Sequence, residues 1–132
     1  MGTSAEIVAG SLEALAERVG DPTVEVYARL FGTYPDMEAL FVRDTTGAVR
    51  GEMLAIAFQC LLDVGGVSVY AKNLIAAEQV NHEGVGVPAE VFAQFFPIVM
   101  LTCRELSGEA WTDEVGAAWT NVLGQIAELT AA

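Results

Sequence analysis

His82 is the only histidine in a chain of 132 residues. An imidazole can bind a metal through a neutral ring nitrogen, move a proton near neutral pH, or stand as a cation beside helix carbonyls. Its surroundings read Asn81-His82-Glu83-Gly84-Val85-Gly86-Val87-Pro88, and the glycine and proline positions after it predict a sharp break. A helix-like run covers 70–81, and a second opens at Pro88, a residue suited to the first helical position. The ring is therefore expected at the C-terminal end of one helix, aimed between that helix and the next. From the histidine alone, an interaction with the last carbonyls of its own helix is the simpler reading.

Other groups with chemistry are sparse. Cys60 and Cys103 lie in apolar helical patterns and are expected as buried thiols rather than a disulfide. No Cys/His cluster suits zinc, and no Ser/His/Asp or Cys/His triad can be built around His82 in sequence. The formal charge is −12, and Lys72 is the only lysine. So acidic a surface repels nucleic acid and anionic lipid, and neither is an expected partner. Although 53% of the residues are apolar, no uninterrupted run reaches membrane-spanning length. Residues 1–10 lack the pattern of a signal peptide, so the expected location is cytoplasmic.

The elements that must position these groups read as helices almost throughout. Ser4 is expected to cap the first, whose stripe is Val8, Leu12, Leu15 and Val19, and Gly20 ends it. Asp21-Pro22 opens the second, with Val24, Tyr27, Leu30 and Phe31 on its apolar side. Tyr34-Pro35 breaks it. A short helix over 35–40 ends at Phe41, and a polar loop runs over 42–47. A helix over 48–64 follows, with Met53, Ile56, Ala57, Cys60, Leu61 and Val64 facing inward, and Gly65-Gly66 stops it. After the run that leads to His82, a long helix covers 88–107 with Pro97 inside, which should bend it. Thr112 caps the last helix, whose stripe is Val115, Trp119, Val122, Ile126 and Leu129. No segment alternates long enough for a strand. The expectation is a single all-α domain over 1–132 with about seven helices.

The order of these parts resembles the globin family, and within it the bacterial and neuronal single-domain haemoglobins. Val26-Tyr27-Ala28-Arg29-Leu30-Phe31-Gly32-Thr33-Tyr34-Pro35-Asp36-Met37-Glu38-Ala39-Leu40-Phe41 resembles the family's B helix, C turn and start of the CD loop. His82-Glu83-Gly84-Val85-Gly86-Val87 resembles the proximal histidine and FG corner. Gly108-Glu109-Ala110-Trp111-Thr112 and Ala118-Trp119 resemble the G–H corner and H helix. The likeness covers nearly the whole chain. Each motif is weak alone; their order and spacing are specific together.

The resemblance implies a globin-like fold packed around a haem b pocket, with His82 as the proximal iron ligand. Tyr27 would polarise a small diatomic ligand through its hydroxyl, or be a core tyrosine. Phe41 would stack on the haem. Arg50 takes the distal position and Leu54 the apolar one a turn later; a shift of one residue would put Gly51 in the first. Arg50 could reach a propionate, reach inward, or stay solvated, and Arg43 is the other propionate candidate. Asn81 would support a propionate or the imidazole, and Val87 would touch the haem edge. Three positions depart from the family pattern. Glu78 stands where an apolar residue usually packs on the proximal face, a costly place for a carboxylate unless it is solvated or paired. Phe92 stands where some bacterial haemoglobins carry a tyrosine, which implies a weaker electronic push on the iron. The distal side lacks the usual imidazole or amide.

The function implied is reversible binding of oxygen or another diatomic gas. Oxidation of nitric oxide would be an accessory activity given an electron source, such as a separate reductase. A homodimer through the last two long helices is a further expectation, which the acidic surface opposes. The alternative is a haem-free globin-like sensor or interaction domain that takes an apolar ligand, and Glu78 is the residue that favours it.

Overall fold

The computed structural model describes residues 3–65 and 71–130, and among them it contains helices and no strand. Helix α1 spans Ser4–Val19. Its cap is Thr3 rather than Ser4: the Glu6 amide donates to Thr3 Oγ1 at 3.2 Å. Ser4 is already helical, and its hydroxyl instead accepts a bond of 2.7 Å from the Asn121 amide group. Helix α2 spans Thr23–Thr33. Pro22, expected as the first helical residue, is the N-cap position instead, and Asp21, one residue further out, accepts the Thr23 amide at 3.0 Å. Residues Pro35–Phe41 form the expected short helix, with 3-10 geometry.

Helix α3, Ala48–Gly65, includes the glycine expected to stop it. A Cβ on Gly65 would lie 2.7 Å from Val122 Cγ2 and 3.2 Å from the Ala5 amide nitrogen. Close approach of three helices is a reason for a glycine there. Gly66 and Tyr70, which the sequence reading used as a stop and a start, lie outside the described residues. Helix α4 spans Ala71–Gly84. The buried carboxylate of Asp63 accepts the Ala71 amide at 2.8 Å, a cap from the preceding helix. His82 lies in the last turn of α4, at the C-terminal end of a helix as expected. Helix α5, Ala89–Ser107, keeps Pro97 within one continuous helix. A 3-10 turn, Gly108–Ala110, leads to α6, Asp113–Thr130, where the Val115 amide donates to Thr112 Oγ1 at 3.2 Å.

One hydrophobic core draws on all six α-helices. Helix α1 packs on α3, α5 and α6, α2 on α5, and α3 on α4 and α6. Trp119 is fully buried, and its indole N–H donates to Ser11 Oγ at 2.9 Å. Val19 and Val24, expected on apolar stripes, are exposed; each stands in a terminal turn of its helix. No described helix is long and apolar enough to cross a membrane.

Candidate functional site

Helix α4 turns one face toward a cavity. Leu74, Ile75, Glu78 and His82 fall on that face, because residues three and four apart in a helix share a side. Helix α3 contributes Met53, Ile56, Ala57 and Cys60, α5 contributes Val91, Phe92, Phe95 and Phe96, and Tyr27 and Phe41 approach from α2 and the 3-10 helix. The cavity between these walls has a volume of about 100 Å³ and is partly open to solvent.

Within this apolar lining the His82 ring has a defined tautomer. Its Nδ1 lies 2.6 Å from the backbone oxygen of Glu78. A carbonyl can only accept, so Nδ1 carries the proton and donates it. The lone pair is left on Nε2, the arrangement by which an imidazole serves as a metal ligand. The turn behind the ring is also tied down. The His82 carbonyl accepts the amides of Val85 at 3.1 Å and Val87 at 2.8 Å, and Gly86 supplies a φ of 97°, a conformation open to glycine. Phe92 packs on the imidazole with centroids 5.0 Å apart and offers it no hydrogen-bond acceptor.

Tyr27 is 2% exposed, and its hydroxyl has no hydrogen-bond partner. The rings of Phe31, Phe41 and Phe95 lie 5.4 to 5.8 Å from it, centroid to centroid. Burial drives its acidity far below that of a free phenol; Arg50 works against this and Asp44 adds to it. The hydroxyl therefore keeps its proton and remains a donor. The Cys60 thiol is pushed up to about 11 by burial, with Asp63 and Glu78 adding to the effect. Cys103 is pushed up to about 12 by burial. Both thiols are free and buried, so neither is a ready nucleophile.

Tyr27, Phe41, His82, Val87 and Phe92 therefore share one cavity. The other expected site residues do not line it. Leu54 is buried, at 2% exposure, but inside the core. Arg43 and Asn81 are exposed. Arg50 lines a second, more polar recess, which Phe41 separates from the first. Its Nε donates to Asp44 Oδ2 at 3.0 Å and its Nη2 to the Asp44 carbonyl at 2.8 Å. Glu78 does reach the wall, but its side chain keeps 37% of its exposure and its Oε2 lies 3.7 Å from His82 Nδ1. Solvation and a nearby imidazole thus meet the burial cost anticipated for this carboxylate. Met53, Ile56, Ala57 and Cys60 had been recognised only as a buried helix face. Nothing in their apolar period distinguishes core from cavity wall.

A family model for globins matches residues 24–129. Flavohemoproteins of Bordetella pertussis, Bordetella parapertussis and Bordetella bronchiseptica are each 28% identical over 93% of this chain. The chain spans 31% of the length of each of these relatives.

Proposed function

The chain belongs to the globin family, and from that premise we propose that it holds haem b in the cavity and reversibly binds a small diatomic gas such as oxygen. The observation that carries this reading is the tautomer of His82. Its Nδ1–H is committed to the Glu78 carbonyl at 2.6 Å, so Nε2 is free to ligate iron within an apolar lining. The residues present fit such a group in a second respect, since the unpartnered hydroxyl of Tyr27 is a donor without an acceptor. When bound, haem supplies an iron centre with gas-binding and one-electron chemistry.

The protein's own part is positioning and exclusion. His82 is oriented by its own helix, and Phe92 blocks rotation of the ring by packing on it. Phe41 and the apolar residues of α3 and α5 exclude water from the wall of the cavity. Tyr27 holds its proton at Oη with no partner in the protein, and would donate a hydrogen bond to a gas held in the cavity, slowing its escape. Val87 contributes to the cavity wall just after the turn. Arg50, held by Asp44, and the exposed Arg43 would be candidates to pair with the propionates. The flavohemoprotein relatives favour an electron-supplying partner for this chain, and oxidation of nitric oxide would be an accessory activity of the cofactor given such a source. The haem-free alternative rests on Glu78 in the cavity wall; the solvation of its carboxylate favours the haem-bound reading.

The test is an absorption spectrum of the purified protein before and after hemin, then with dithionite and carbon monoxide. A strong band near the violet edge that shifts at each step is expected, and His82→Ala should lose tight haem retention while keeping its helix content. No band after hemin would favour the haem-free reading. A His82→Ala spectrum identical to that of the parent would remove His82 as the ligand.

A further inference from the structure

Glu78 touches His82 twice, and the two contacts have different chemistry. Its backbone oxygen accepts the Nδ1 proton at 2.6 Å, and its carboxylate oxygen Oε2 stands 3.7 Å from the same nitrogen. The first contact is a property of the helix, available to any residue four positions before a histidine. The second depends on the side chain. Among the described residues that line the cavity, Glu78 is the only carboxylate and His82 the only basic side chain; the others are apolar, the Tyr27 phenol and the Cys60 thiol. Phe92, the ring in contact with the imidazole, contributes no charge and no acceptor.

We propose that the Glu78 carboxylate sets the donor strength of His82, so that it tunes the iron toward its oxidised form. This rests on the haem-bound reading above. A negative charge beside Nδ1–H stabilises the partial positive charge that develops on the ring when Nε2 donates electrons to a metal. The imidazole becomes a better donor, and the more highly charged ferric state gains more from this than the ferrous state. Glu78 acts through His82 and touches no gas ligand; it is a positioning and tuning residue. Because the carboxylate is partly exposed, water screens it, and its effect is that of a neighbouring charge rather than of a second hydrogen bond.

Glu78→Gln isolates the charge. The backbone oxygen remains in place, so the hydrogen bond that sets the tautomer persists, and a half-exposed isosteric change leaves the fold intact. Glu83→Gln removes an exposed carboxylate that does not line the cavity, and controls for overall charge. Each full-length variant is loaded with hemin, and two quantities are read: the ferric/ferrous midpoint potential, and the iron–histidine stretching frequency of the ferrous form. In Glu78→Gln the reduced-to-oxidised ratio at fixed potential should rise about threefold to tenfold, tenfold being about 59 mV for one electron. The stretching frequency should fall. Glu83→Gln should move neither by as much as half. Equal shifts in the two variants would overturn the proposal, since any surface charge would then serve. So would unchanged values in Glu78→Gln on a haem ligated by His82, and that result would leave the haem-bound reading standing. A parent protein that takes up no hemin would overturn both.

Discussion

The hydroxyl of Tyr27 is a donor held under aromatic rings with nothing to accept its proton. A buried polar group left unpaired costs about 1–3 kcal/mol. Its presence in a core position that phenylalanine would fill at least as well points to a partner that arrives with a ligand. Tyr27→Phe should therefore act in opposite directions on two measurements. In the ligand-free chain it should leave stability unchanged or raise it by about 1 kcal/mol, read from chemical denaturation. In the haem-loaded ferrous protein it should speed oxygen release, read by stopped flow. Loss of stability with an unchanged off-rate would make Tyr27 a packing residue. The residue type and its helical face were legible in the sequence. The missing hydrogen-bond partner was not, because satisfaction of a buried hydroxyl depends on residues as distant as Phe41 and Phe95.

At the scale of elements, the start of α3 is held by one loop residue. Asp44 accepts the amides of Val49 at 3.1 Å and Arg50 at 3.0 Å, and the Arg50 guanidinium at 3.0 Å. Burial pushes this carboxyl up, but those amides and the guanidinium outweigh it, so it sits below its ordinary value. A carboxyl whose value is lower in the folded than in the unfolded chain contributes stability that is complete above the unfolded value, about 4. That contribution is lost as pH falls through the folded value. Asp44→Asn should thus melt at a lower temperature than the parent at about pH 7, and the gap should close as pH drops below about 4. A gap of constant size across that range would assign the effect to shape rather than charge. The sequence marked 42–47 as a polar loop with turn formers, and the helix after it. It offered Arg50 as a group for the cavity, whereas the loop's own carboxylate holds that side chain. The choice between a partner six residues away and a ligand is a matter of three-dimensional reach.

For the whole molecule, a formal charge of −12 on 132 residues makes the folded state repel itself. Raising salt from about 0.01 M to about 0.1 M shortens the screening length from about 30 Å to about 10 Å. The melting temperature should rise over that interval; no change would show that the acidic groups are already balanced locally. The helical architecture was readable because helix period, caps and proline breaks are local, and the order of the resulting elements is distinctive. Local rules also located His82 at a helix end and Tyr27 on an inward face. They misplaced the α1 cap by one residue, since Ser4 is claimed by Asn121 on α6, and they could not show that Gly65, the last residue of α3, also lets α1 and α6 approach. The sequence by itself determined the helices, their apolar faces and the family they resemble. Only the tertiary structure decided which apolar faces close into core and which leave a cavity. It also decided where the Nδ1 proton of His82 goes, and that Glu78 reaches water beside it. These depend on how helices pack and on the depth of each side chain below the surface, neither of which is encoded by spacing along the chain.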